Sequence, residues 1–416
     1  MEEDCLTVST SDRTLPLGAP PPIIRRRQVL LGYGLLDEAV TAIPVVGAPL
    51  LQAFLGLNYG QMGLLFAVGA ASGFIFEPAL NLWSYRHGKR WWILVPGLVL
   101  AVCLVAEGLA TRYDLMLVLF ACYYPAAGMA VGLAQAVLAD DAVGDTVGLM
   151  TRWTLLAGIG DVAGPLAITA LAAAHQGWRS LCWLGAAMWL GMLGATLSVR
   201  FPPGRPPNAP DPAPVPAPAD GAEALWPTLR RMVISPAILR WGMLAWIPTM
   251  IDEILLAFAA LYLHDVLHAS EALLGLWITG SLGCGILALV LLERVPALRA
   301  AAAAKPRRLL ALMAVVVLGG MAVLATAASV MAAGIGLAIV GLGGAGWYPI
   351  AKGRAYAKLP GRAALVRAMA SLTSPLEALL AAAIGLVSLH FGLAAGIACL
   401  GTAPLLMLAL LSGRWG

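Results

Sequence analysis

The sequence predicts an all-α membrane protein of twelve transmembrane helices, arranged as two pseudo-symmetric six-helix bundles. Three observations carry that expectation: a scarcity of charge, a series of long apolar runs, and an internal repeat of acidic residues. Of the 416 residues, 60% are hydrophobic and only 12% are charged. A soluble chain carries about a quarter charged residues to wet its surface, so a string of soluble domains is excluded by composition. The net charge of +4 is small, and the basic residues collect in short segments between apolar runs. That distribution argues against nucleic acid as a partner. The six cysteines are scattered, with no Cys-x-x-Cys pair, and read as small core residues rather than disulfides or metal ligands.

A helix needs about 20 apolar residues to cross roughly 30 Å of hydrocarbon. Runs of that kind fall near 29–54, 60–83, 91–110, 115–138, 148–173, 180–199, 237–262, 271–292, 309–328, 331–351, 363–388 and 393–412. The ninth and tenth come from one stretch without charge between Arg308 and Lys352, which is too long for one crossing and is divided at Ala328–Gly334. The chain opens on the acidic Met1-Glu2-Glu3-Asp4, and its first apolar run begins near Val29. That run is too long for a signal peptide and is expected to stay in the bilayer as an anchor.

Orientation follows from Lys and Arg, which favour the cytoplasmic side. With the N-terminus inside, 24 of the 26 basic residues fall in cytoplasmic segments, leaving out only Arg112 and Arg179. Arg152, Lys352, Arg354 and Arg367 are counted among the cytoplasmic ones in this scheme. Both termini are then cytoplasmic, and the Ala/Gly/Arg-rich composition suggests a bacterial inner membrane.

Residues 1–28 are expected to be a cytoplasmic tail, 29–200 the first bundle, 201–236 a linker and 237–416 the second bundle. The linker reading rests on ten prolines within Phe201–Pro227, five of them at alternate positions from Pro210 to Pro218. Such a run favours extended polyproline conformations over helix. On either side of it the halves repeat at an offset near 215. Asp37-Glu38 in span one matches Asp252-Glu253 in span seven, and Gly63 matches Gly275. Tyr124-Pro125 in span four matches Tyr348-Pro349 in span ten, and Asp161 in span five matches Glu377 in span eleven. Acidic pairs inside apolar helices are rare, so finding them twice in register points to a duplicated six-span unit. Two parallel-related halves are a transporter architecture, with the substrate near midplane between them.

The chain resembles the major facilitator superfamily across nearly its whole length. After span two it reads Asn81-Leu-Trp-Ser-Tyr85-Arg86-His-Gly88-Lys89-Arg90, similar to that family's Gly-x-x-x-Asp-Arg-x-Gly-Arg-Arg loop. Arg86, Gly88, Lys89 and Arg90 are retained. Asn81 and Tyr85 depart from the pattern, leaving the family's cytoplasmic charge latch without its acid. Gly160-Asp-Val-Ala-Gly164-Pro165 is similar to the Gly-x-x-x-Gly-Pro element of the family's antiporters. The span-one acid, Glu77-Pro78 and Tyr123-Tyr124-Pro125 most resemble fosmidomycin-resistance-type drug exporters. The resemblance implies alternating access, and for an antiporter it implies export. From family architecture, the Gly160/Gly164 face is expected to pack on the Gly280/Gly283/Gly285 region of span eight.

The acids Asp37, Glu38, Glu77, Asp161, Asp252, Glu253 and Glu377 lie inside the expected spans. Each ionised one facing lipid costs on the order of 3 kcal/mol, so together they must face a wet hollow, find partners or carry protons. Basic partners at that depth are scarce in the sequence, and the hollow is expected to be net acidic. Asp37 and Asp252 are placed on the central path as cation or proton sites, with Tyr124 and Tyr348 beside them. Their neighbours Glu38 and Glu253 point about 100° away around the helix. Asp161 and Glu377 are further proton candidates, and Glu77 beside the kink of Pro78 is read as an inner gate. Gly160, Gly164 and Pro165 are read as packing and rocking elements.

His264 and His268, four apart beside Asp265 and Glu271, have a spacing that suits a transition metal, although a solvated loop is the favoured reading. No phosphate-cradling loop, dinucleotide fingerprint or nucleophile–base set is present, so no cofactor and no enzymatic activity are expected. The resulting expectation is a monomeric secondary transporter in the lipid bilayer, exchanging protons for a small cationic or neutral molecule that leaves the cell. A metal-ion or nutrient carrier of the same fold is one alternative, and a non-transport membrane enzyme or sensor is the other, which the near absence of nucleophiles from the one long loop disfavours.

Overall fold

A computed structural model describes residues 22–57, 59–84, 89–142, 145–201, 236–358, 363, 366–367 and 374–413. The expected tail up to residue 21 and nearly all of the proline-rich linker lie outside the described residues. Every element found is helical. The first half holds α1 (Pro22–Val46), α2 (Ala48–Leu55), α3 (Tyr59–Ser84), α4 (Lys89–Leu109), α5 (Tyr113–Asp140), α6 (Thr146–Ala173) and α7 (Trp178–Leu197). The second holds α8 (Pro236–Leu261), α9 (Glu271–Arg294), α10 (Pro296–Ala304), α11 (Pro306–Ala325), α12 (Val330–Gly344), α13 (Trp347–Ala357), α14 (Ser374–Phe391), α15 (Leu393–Leu400) and α16 (Thr402–Ser412).

These helices form because the apolar runs leave the backbone no other way to satisfy its polar groups in lipid. Ten stretches are long and apolar enough to cross a membrane. The remaining two expected spans are helices as well: α6 carries Asp161 in its interior, and α14 carries Glu377 in its first turn. Large apolar side chains such as Ile75, Trp91, Val102 and Leu389 are more than half exposed, which suits a bundle whose outer surface meets acyl chains rather than water.

Within the first half, α1 packs on α6 and α7, α3 on α5, and α4 on α5 and α7. In the second half, α8 packs on α13, α9 on α12, and α11 on α12. The halves meet mainly where α6 touches α9 and α13. All the spanning helices alternate in direction. One end of the bundle therefore gathers the starts of α1, α4, α6 and α11 and the ends of α3, α5, α7, α9 and α13. It carries most of the described Lys and Arg and is called the basic end below.

Several details depart from twelve uninterrupted rods. Span one breaks at Gly47, span ten divides into α12 and α13 at Ala345-Gly346, and span twelve divides at Gly401. The charged stretch between spans eight and nine is helical as α10, not a loop. Pro296 fits its first turn and an alanine run follows, both favourable for helix. Its final carbonyls are capped by Arg354, which donates to Ala302 O at 3.1 Å and to Ala303 O. A cation there complements the negative end of the helix dipole.

Candidate functional site

Polar side chains from both halves form a column along the seam, and it is easiest to follow inward from the basic end. At the rim, Arg26 grips Asp141 with two bonds of 2.7 and 2.8 Å, and Lys89 pairs with Asp140. Asp140 also accepts the backbone N–H of Ala363 at 3.2 Å, joining span four to span eleven. Arg152 of α6 meets Glu293 of α9 at 2.7 Å, and Asp145 lies 3.9 Å from Arg299. Gly353 of α13 is so close to α6 that an added Cβ would sit 2.8 Å from the Val147 Cα. The rim is therefore closed by backbone approach as well as by charge.

About one and a half turns further in along α5, Gln135 is 3% exposed. Its amide donates to the Tyr348 hydroxyl at 3.3 Å, and its carbonyl accepts from the Tyr356 hydroxyl at 2.9 Å. Lys352, one turn from each tyrosine on α13, is 4% exposed, with its ammonium 5.4 and 5.6 Å from the two ring centres. One glutamine of the first half thus holds two tyrosines of the second.

Deeper still, Arg367 reaches Glu77 across the seam at 3.4 Å. Both side chains lie over glycines. A Cβ at Gly132 would stand 3.1 Å from the Arg367 Cζ, and Glu77 rests against Gly73 and Gly128. An added Cβ would overlap the pair at Gly128 and Gly132 and would crowd the Glu77 carboxylate at Gly73. Asp37 of α1 completes the cluster: Arg367, Asp161 and Glu77 are its charged neighbours. Counting about 1.5 Å per residue from the start of each helix, Asp37 and Asp161 lie roughly 22 Å in, near the middle of a bilayer.

The structure brings together Asp37, Glu77, Asp161 and Tyr348 of the sequence candidates. Glu38 instead backs onto the α6 glycine face, its Cβ 3.0 Å from where one would stand on Gly160. Tyr124 also stays within its own half, seated on Gly69 beside the rings of Phe120 and Tyr123. Arg90 ties span three to the end of span six, donating to Leu197 O at 3.0 Å. Arg86 and Gly88, and the side chains of Asp252, Glu253 and Glu377, lie outside the described residues.

Two expectations need correction. Arg367 and Lys352 are not peripheral cytoplasmic charges. Span eleven carries Arg367 a full turn inward from Ala363, and pairing inside the bundle makes its depth tolerable. The hollow is consequently of mixed charge, not simply acidic. Next, Gly160 and Gly164 pack on α1: a Cβ on Gly164 would sit 2.7 Å from the Ala42 Cβ and 2.8 Å from Ala39 O. Gly280 and Gly283 of span eight have open space around them, so the span-five element closes a contact within one half. The solvated reading favoured for His264 agrees with its place: it bonds its neighbour Asp265 at 2.7 Å on an exposed π-helical turn. No group of three or more metal-ligating side chains forms among the described residues.

The sequence reading also passed over Glu107. It sits 2% exposed inside span three, with Oε1 lacking a hydrogen-bond partner, and only its place in an apolar run marked it. Its backbone carbonyl accepts the Trp178 indole N–H at 3.2 Å.

The family model described as Major Facilitator Superfamily matches residues 29–374. The chain belongs to that superfamily. Major facilitator proteins with solved structures share its fold. The Escherichia coli fucose:proton symporter FucP superposes with a TM-score of 0.74 at 14% identity, covering 95% of this chain and 100% of that one. The proton:xylose symporter XylE gives 0.70 at 14% identity, covering 93% and 94%. The human organic anion transporter MFSD10 gives 0.65 at 15%, covering 94% and 100%. No curated protein sequence matches the chain. As a major facilitator, this is a multi-pass membrane transporter and not an enzyme.

Proposed function

We propose that this major facilitator is a proton-coupled secondary transporter working by alternating access, with Asp37, Glu77 and Asp161 as its proton-handling groups. The observation that carries the reading is their convergence with Arg367 at the seam of the two halves. Carboxylates held at bilayer depth beside a cation are expensive unless they are used. A proton arriving at one of them weakens its hold on Arg367, and that hold is a bond between the halves. Protonation and opening of the seam are then one event, which is what coupling requires.

With the basic end read as the cytoplasmic one, the closed rim and the Gln135 layer support a state shut on that side. Export of a small molecule against inward protons remains the proposed direction, on the strength of the span-five resemblance. The preference expected for a cationic or neutral molecule drew on an all-acidic hollow. Arg367 and Lys352 remove that premise and admit anionic molecules as well.

The test is transport by purified protein in vesicles containing a pH-sensitive dye, under an imposed pH gradient of either sign. Asp37→Asn and Asp161→Asn are expected to uncouple proton movement from substrate movement. Full coupling in both variants removes these acids from the mechanism. The sign of the gradient that drives accumulation decides direction.

A further inference from the structure

Donors crowd the Tyr348 oxygen. Gln135 donates to it at 3.3 Å, Lys352 is within hydrogen-bonding reach of it, and the Arg367 guanidinium acts on it electrostatically. Tyr356 stands on the same face of α13 and shares Arg367 as a neighbour. Two cations, an amide N–H and phenolic hydroxyls in a nearly waterless layer make an environment suited to an oxyanion. The group that now satisfies Arg367 is itself a carboxylate, that of Glu77 at 3.4 Å.

We infer that the transported molecule carries a carboxylate that replaces Glu77 on Arg367, with Lys352 and the Tyr348 hydroxyl alongside. This rests on the coupled-transport reading above and specifies its substrate class. The charges balance in one exchange. Glu77 takes up a proton and becomes neutral, releasing the guanidinium. The substrate carboxylate then forms the two-pronged contact that arginine offers planar anions. One proton and one anion bind together, so the occupied site has the same net charge as the empty one and the two cross in the same direction; for a carboxylate, this co-transport replaces the exchange drawn above from the span-five resemblance. Glu77 acts as a built-in competitor: it fills the anion position until protonated, which prevents substrate from binding without its proton.

The experiment uses the full-length purified protein and measures thermal stabilisation and binding heat with lactate, benzoate and gluconate. The corresponding amides and benzylamine serve as neutral and cationic controls. Heats measured in two buffers of different ionisation enthalpy report proton uptake. Carboxylate-selective stabilisation with uptake of one proton is expected, and Arg367→Gln should abolish it. Loss of binding can also follow from misfolding, so the decisive variant is Glu77→Gln. It removes the competitor and should tighten carboxylate binding about tenfold or more, since hydrogen bonds to charged groups are among the stronger ones, while abolishing proton uptake. Stabilisation by the amides or by benzylamine instead, or by no compound in the panel, overturns the inference. So does unchanged carboxylate affinity in Glu77→Gln. If the same protein still moves protons with a neutral or cationic substrate in vesicles, the transport reading survives and only the anion assignment falls.

Discussion

Replacing Gln135 by leucine isolates one layer of the closed basic end. Leucine matches glutamine in bulk but cannot bond the hydroxyls of Tyr348 and Tyr356, at 3.3 and 2.9 Å in the structure. Each such bond contributes about 1 kcal/mol net, so the closed state loses about 2 kcal/mol. Because Gln135 and the two tyrosines belong to opposite halves, the bonds exist only while that end is shut. The open state is not affected, and the ratio of open to closed rises about 30-fold, from exp(2/0.59). Spin labels at Arg25 and Lys358, both exposed near the basic end, would report this as a shift of the interspin distance distribution toward the separated population. Tyr348→Phe and Tyr356→Phe should each produce part of the shift. If the distribution in Gln135→Leu matches that of the parent, the layer is not a latch, and the reasoning that ties it to one conformation fails.

Two other substitutions probe packing and buried charge. Gly164→Val forces a side chain against Ala39 O and Ala42, and overpacking of this kind costs about 1–3 kcal/mol. It should lower the melting temperature in detergent, whereas Gly280→Ala, facing open space, should not. The reverse order would restore the expected span-eight contact. Glu107→Gln should leave stability within about 1 kcal/mol, since a neutral amide asks for no counter-charge, while Glu107→Lys should be strongly destabilising because an unpaired buried charge costs several kcal/mol. Equal tolerance of both would mean that water reaches the site.

The spans were legible because twenty apolar residues in a row have few other uses, and the acids were legible because they interrupt such runs at a cost. Arg367 was not. It follows Lys358 and Arg362 closely in sequence, and charge counting cannot tell the last loop residue from the first residue a turn inside the bilayer. Gln135 gave no signal at all, since a neutral amide in an apolar helix becomes informative only when its partners 213 and 221 residues away are known. The glycine pair in span five announced a close neighbour correctly but not its identity, because small residues specify approach and not partner. The break within span ten was hidden among 46 glycines.

That break has a mechanical consequence. Tyr348, Lys352, Arg354 and Tyr356 all ride on α13, eleven residues long and separated from the rest of span ten by Ala345-Gly346. Its far end is moored to the linker helix α10 through Arg354. A tilt of this short rod about its glycine joint would carry every one of those groups away from the first half together, while α12 stayed packed where it is. Turning that one half-helix releases the Gln135 layer as a unit, while the Arg152–Glu293 and Glu77–Arg367 contacts, carried by other elements, part separately.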